Sequence, residues 1–246
     1  MTTDATVRRR SRAALQRCAT ALRASPLPVD PVREALYVVS FRARWGFAPP
    51  PRWSDWSSYE QLLTVIEQHG LADVEGDVLE IGVLLGGGTY KLCRYFARSA
   101  PDKRVYALDI FDPDFDVTTS EAGWRMADMY RDALQGRDQR SVFEEVTSGC
   151  RNLTVLAEDS VRVELSAQRL CFAYVDGNHA PDYVRNDFEL AWSRLSPGGI
   201  VGLDDYGRDL PQVTEAVHRL VGEHAREIDH VWPDANGHVF VKRKRR

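Results

Sequence analysis

The chain lacks most of the features that announce the simpler functional classes. Its four cysteines, Cys18, Cys93, Cys150 and Cys171, are far apart and form no Cys-x-x-Cys pair, which argues against a zinc knuckle or a redox pair. Cys93 and Cys171 read as core residues. No apolar run approaches the length of a bilayer span. The arginines Arg8, Arg9, Arg10 and Arg12 lead into Ala-Ala-Leu-Gln-Arg rather than an apolar signal core, so a cytoplasmic protein is expected. Lys and Arg number 32 against 36 Asp and Glu, a net charge of -4, and no basic stripe with interleaved aromatics occurs. Binding to nucleic acid by phosphate neutralisation is therefore disfavoured, and the basic run Lys242 to Arg246 reads as a solvated tail. There is no internal repeat and no low-complexity tract. What remains is 246 residues at 43% hydrophobic content, enough for one sizeable core, expected as one domain with an N-terminal extension.

Residues 1–57 stand outside the alternating pattern that follows. They read as an Arg- and Ala-rich helix over 5–24, a proline break, a second helix over 32–45, and a connector over 47–56 rich in Pro and Trp. That connector is expected to strap onto the core or onto a second subunit, which would make a homo-oligomer; the other reading is a lid. Residues 58–246 form the main domain. A helix capped by Ser57 or Ser58 runs to about His69. Strands are expected over 77–83, 104–111, 153–157, 171–175, 200–203, 227–232 and 238–242. Helices are expected over 90–98, 121–134 within a polar insertion, 161–168, 181–195 and 212–225. The turn Asp234-Ala235-Asn236-Gly237 makes the last joint a hairpin. The fold class is thus α/β, a Rossmann-like doubly wound sheet of seven strands, mostly parallel, with an antiparallel last strand.

In a parallel sheet the strands end on one edge, where ligands bind. Asp176 closes one strand and Asp204-Asp205 the next, so three carboxylates converge beside His179. Like charges gathered there repel unless a cation sits between them, and oxygen ligands favour magnesium, calcium or manganese. At the other half of the edge, the strand through Glu80 and Gly82 leads into the glycine turn Gly86-Gly87-Gly88-Thr89. Asp109 closes the next strand about twenty residues on, the spacing of a carboxylate that holds ribose hydroxyls. Asp159 and Ser160 close the third. A nicotinamide dehydrogenase shares the glycine turn and Asp109 but leaves the acidic edge and hairpin unexplained. A non-catalytic nucleoside-binding protein would be expected to have lost the edge carboxylates.

The motifs Glu80-Ile81-Gly82-Val83 with Gly86-Gly87, and Asp176-Gly177-Asn178-His179 followed by Pro197-Gly-Gly-Ile-Val-Gly-Leu-Asp204-Asp205-Tyr206, are similar to those of class I S-adenosylmethionine-dependent methyltransferases. The resemblance covers about residues 58–243 and is sharpest to the macrocin O-methyltransferase type, which acts on antibiotic sugars. It implies S-adenosylmethionine as cofactor, contacted by Glu80, Gly82, Gly86, Gly87, Thr89, Asp109, Asp159, Ser160 and Asp176. It implies Asp176, Asp204 and Asp205 as ligands of magnesium, with His179 as base beside Asp176. The expected reaction is methylation of a hydroxyl on a small natural product, an antibiotic sugar; the alternative acceptor is the amine of an aminosugar, for which the metal is optional. Residues 1–57 and 113–149 match no motif and are expected to set acceptor choice.

Overall fold

The computed structural model describes residues 31–55 and 59–245. The helix expected over 5–24, Cys18, and the capping serines Ser57 and Ser58 lie outside the described residues. The chain divides into two compact units, Met1–Arg52 and Trp53–Arg246. In the first, helix α1 (Pro31–Trp45) starts on a proline, whose fixed φ suits a first helical turn, and buries Phe41 and Trp45. Phe47 sets its ring edge-on to Phe41 at 5.4 Å.

In the second unit, α2 (Glu60–Gln68) turns Leu62, Leu63, Val65 and Ile66 inward, and Gly70 at φ 63° lets the chain leave. The seven strands β1 (Asp77–Ile81), β2 (Val105–Asp109), β3 (Leu153–Ala157), β4 (Leu170–Val175), β5 (Leu195–Leu203), β6 (Ile228–Pro233) and β7 (Val239–Arg243) form one sheet in the order β3-β2-β1-β4-β5-β7-β6. Pairings from β3 to β5 are parallel, and β7 runs antiparallel to both β5 and β6. Helices pack on both faces, so the central strand β4 is buried at every residue and needs the unbroken apolar run Leu-Cys-Phe-Ala-Tyr-Val. Among the described residues no helix is long and apolar enough to cross a membrane.

Helix α3 (Gly87–Ser99) opens on the glycines themselves rather than at Tyr90. A Cβ on Gly87 would lie 2.2 Å from the Ser54 carbonyl oxygen, and one on Gly88 2.6 Å from Glu80 and the Tyr59 ring. The segment before α2 is thereby seated on α3, with Asp55 paired to the buried Lys91 at 2.6 Å. The insertion holds two helices where one was expected: α4 (Met126–Leu134) and α5 (Gln139–Thr147). The second is capped by Asp138, which accepts from the Ser141 N–H at 2.8 Å.

Residues 161–168 form no helix. Val163, Leu165 and Ala167 turn inward while Arg162, Glu164, Ser166 and Gln168 stay exposed, a period of two that belongs to extended chain. Helix α6 (Pro181–Trp192) stops short of Leu195, because β5 begins there and takes in Ser196 to Gly199 through a shift of register against β4. Phe188 and Trp192 of α6 stack at 5.3 Å within the core shared with α7 (Pro211–Glu223). Burying side chains of that size contributes about 2–3 kcal/mol each.

Candidate active site

The acids that end the strands, Asp109, Asp159 and Asp176, line one cleft at the edge where the parallel strands end. At the β1–β2 half, β1 passes into Gly82, held at φ 80°, where a Cβ would sit 1.9 Å from the Asp176 carbonyl oxygen. Only glycine lets β1 leave the sheet this close to β4. Asp109 then gathers the turn. Its Oδ2 accepts from the Val83 N–H at 2.8 Å and the Leu84 N–H at 3.4 Å, and its Oδ1 from the Phe111 N–H at 2.7 Å. Gln139 at the head of α5 adds a side-chain bond at 3.3 Å. Burial raises the Asp109 pKa, and these N–H groups oppose the rise. Glu80 lies fully buried beneath α3, receives the Thr89 hydroxyl at 2.5 Å, and has its pKa pushed up by burial to about 8.

The cleft opens above this turn, lined by Gly82, Leu84, Asp109, Phe115, Tyr130 and Gln139 and by Asp159, Ser160, Asp176, Asn178, Tyr183 and Asp187. Its mixed apolar and carboxylate lining suits a nucleoside-bearing ligand. Tyr183 of α6 faces this cleft, where its hydroxyl donates to Asp159 at 3.3 Å.

The β4–β5 half is built differently. Asp176 accepts from the Tyr59 hydroxyl at 2.9 Å. Burial raises its pKa well above the usual carboxylate range, and the charges of Asp204 and Asp205 raise it further. His179, 6% exposed, is clamped between two carboxylates: Nδ1 lies 2.5 Å from Asp116 Oδ2 and Nε2 2.8 Å from Asp205 Oδ2. Burial disfavours the imidazolium, but these two bonds and charges outweigh it and push the pKa up to about 10. Without a bound cation the ring is therefore protonated at neutral pH. Asp176, His179 and Asp205 each bring a ligand atom within 4.8 Å of the others, a group that could hold a divalent ion. Asp204 stands outside that group. Its Oδ1 accepts from the Asp205 N–H at 2.8 Å and faces His238 Nε2 at 3.7 Å, holding Asp205 at a left-handed φ of 56°.

The profile of a family described as a methyltransferase domain matches residues 79–206, more than half of the chain and the whole span from the glycine turn to the acidic pair. The chain belongs to this family. It is a class I S-adenosylmethionine-dependent methyltransferase, and two solved structures share its fold. The O-methyltransferase NovP superposes with a TM-score of 0.58 at 23% identity, over 76% of this chain and 80% of that one. CalS11, a calicheamicin methyltransferase, does so at 0.53 and 17% identity, over 93% and 90%. No curated protein matches the sequence.

Of the positions the methyltransferase motifs single out, Gly82, Asp109, Asp159, Ser160 and Asp176 line the cleft. Glu80, Gly86, Gly87 and Thr89 do not; they shape it from below, with Gly86 against Phe143 and Gly87 against Ser54. Sequence reasoning missed Tyr59, Asp116, Tyr130, Gln139 and Asp187. Asp116 is one of three acids in Asp112-Pro-Asp-Phe-Asp, and nothing in the sequence distinguishes it from its neighbours. Asp187 lay inside a helix assigned from its apolar stripe, yet it is buried beside the cleft with its pKa raised by burial to about 6. Cys93 and Cys150, far apart in sequence, influence one another: the neighbouring thiol raises the pKa of the buried Cys93 and lowers that of Cys150.

Proposed function

We propose that this methyltransferase methylates a hydroxyl of a sugar-bearing small natural product, with S-adenosylmethionine in the cleft between Gly82, Asp109 and Asp159 and a divalent cation at Asp176 and Asp205. The observation that carries the reading is the clamped His179 beside two edge carboxylates, a proton-handling group and a cation donor set at one place. The printed descriptions of the structural neighbours point the same way: NovP is an O-methyltransferase, and CalS11 is also described as a TDP-rhamnose 3'-O-methyltransferase.

Methyl transfer from a sulfonium is an in-line displacement, so the chain's task is to align donor and acceptor and to make the acceptor nucleophilic. A cation at Asp176 and Asp205 would acidify a hydroxyl bound to it and take up the charge with which Asp205 now holds His179 protonated. His179 then handles the proton at Nε2. Tyr59 orients Asp176, and Asp204 orients Asp205 through its backbone N–H. The insertion, which supplies Phe115, Asp116 and Tyr130, borders the acceptor side and is the place for acceptor choice.

Calorimetry should show S-adenosylhomocysteine binding and NAD not binding. Methyl transfer to a panel of nucleotide-linked and free deoxysugars should stop on chelation and return with magnesium or manganese. Full turnover in excess chelator, with aminosugars as the better acceptors, would replace the hydroxyl by an amine.

A further inference from the structure

Asp116 belongs to the insertion, outside every motif of the fold, yet its carboxylate reaches the reacting edge. The residue is 4% exposed, and all its acceptor positions are in use. Oδ1 accepts from the Thr118 N–H at 2.9 Å and the Thr118 hydroxyl at 2.7 Å; Oδ2 accepts from the His179 N–H at 3.3 Å and faces His179 Nδ1 at 2.5 Å. A carboxylate at that distance fixes a proton on Nδ1, because an unprotonated Nδ1 would set a lone pair against it. Nε2 is then the ring atom left to face Asp205 and the one placed to take the proton of an acceptor hydroxyl as its oxygen attacks the methyl group.

The segment carrying Asp116 is itself braced at both ends. The Met126 N–H bonds the Thr118 carbonyl at 3.1 Å, the Ala127 N–H bonds the Asp116 carbonyl at 3.2 Å, and the Glu121 N–H bonds the Asp209 carbonyl in the loop after β5 at 2.8 Å. Asp116 is therefore held by its own loop as well as by its contacts with His179, and can impose an orientation on the ring.

We propose that Asp116 is the positioning residue for His179: it fixes the Nδ1 proton and the ring plane, and so ties proton handling at Nε2 to the docked state of residues 113–125. The kinetic part of this rests on the hydroxyl-methylating reading above; the ring-orienting part does not.

The first test needs no acceptor. In protein labelled with 15N-histidine and saturated with S-adenosylhomocysteine, the His179 Nδ1 proton should resonate far downfield and protected from exchange, and Asp116→Asn should abolish that signal. An Nδ1 without a proton in the wild type, or an unchanged signal in the variant, overturns the proposal. Because the wild-type spectrum alone can refute it, a variant that fails to fold does not shelter it. The second test is a double-mutant cycle with wild type, Asp116→Asn, His179→Asn and the pair. Asp116→Asn should lower kcat roughly a hundredfold, the scale of a displaced acid–base group, with the KM for S-adenosylmethionine changed less than about threefold. In the His179→Asn background it should add nothing, since it acts through that ring. Losses that multiply in the double variant would show a separate structural role and overturn the proposal. A wild type that methylates no hydroxyl refutes the function reading instead, and the spectrum still decides on Asp116.

Discussion

Asp109 and Asp176 each stand where a buried parallel strand ends, at the same edge of one sheet, but their surroundings differ in kind. Asp109 is met by three backbone N–H groups and a glutamine amide. Asp176 is met by one tyrosine hydroxyl and by the charges of two further carboxylates. The first half of the edge is a finished structure, in which the carboxylate's hydrogen bonds fold a turn into the shape a nucleoside needs. The second half is left in conflict, and conflict of that kind persists in a fold where a ligand resolves it. Left-handed φ at non-glycine residues borders both halves of the edge, Leu84 and Phe111 beside Asp109 and Asp205 beside Asp176.

The largest effect expected on that contrast comes from removing the conflict. Asp176→Asn should lower kcat by roughly a hundredfold or more, because it takes away a ligand atom and a charge at the reacting centre. Its melting temperature should stay level or rise, since one of three repelling carboxylates is gone. A melting temperature lowered as far as a core truncation lowers it would mean that Asp176 is structural.

The seam between the halves is sharper still. Gly82→Ala would place a methyl group 1.9 Å from the Asp176 carbonyl oxygen at a positive φ, and should cost about 3 kcal/mol in urea denaturation. Gly149→Ala, with nothing within 4 Å of its Cβ, is the control and should stay within about 0.5 kcal/mol.

On the finished side, Asp109→Ala should weaken S-adenosylhomocysteine binding by about ten- to a hundredfold, the scale of a lost charge-assisted hydrogen bond. Turnover at saturating cofactor should change only severalfold. If kcat collapsed along with affinity, the two halves would not be separable.

The same contrast explains what could be read from the sequence. Strand and helix order followed from apolar runs and their period, and the finished half was legible because its parts, Gly82, the glycine turn and Asp109, are close in sequence and chemically marked. The reacting half was legible only where an acid ends a strand. Asp116 reaches His179 across 63 residues and Tyr59 reaches Asp176 across 117, and neither carries a pattern of its own. The segment 161–168 is extended rather than helical because its inward residues Val163, Leu165 and Ala167 recur at every second position. The second helix of the insertion was missed because its polar sequence hides the buried face of Val142, Phe143 and Val146. Asp204, expected as a ligand with Asp176 and Asp205 because it ends the neighbouring strand, is not in the Asp176, His179 and Asp205 group, although its charge is the larger of the two that raise the Asp176 pKa.

The last expected effect is a slope. Glu80 is wholly buried under the glycine turn, its Oε1 without a hydrogen-bond partner among the described residues, and its pKa is about 8 against an ordinary 4.5. A raised carboxyl pKa means that the folded protein keeps a proton the unfolded chain has already lost. The associated stability is full below about pH 4.5 and is lost as pH rises toward 8, at no more than one proton, about 1.4 kcal/mol per pH unit. Glu80→Gln keeps an acceptor for the Thr89 hydroxyl and removes the titration. Urea midpoints measured between about pH 5 and 8 should therefore show the wild type losing stability relative to the variant as pH rises. Parallel curves would mean that Glu80 is ionised beneath the cleft, and the finished half of the edge would then carry an uncompensated charge like its neighbour.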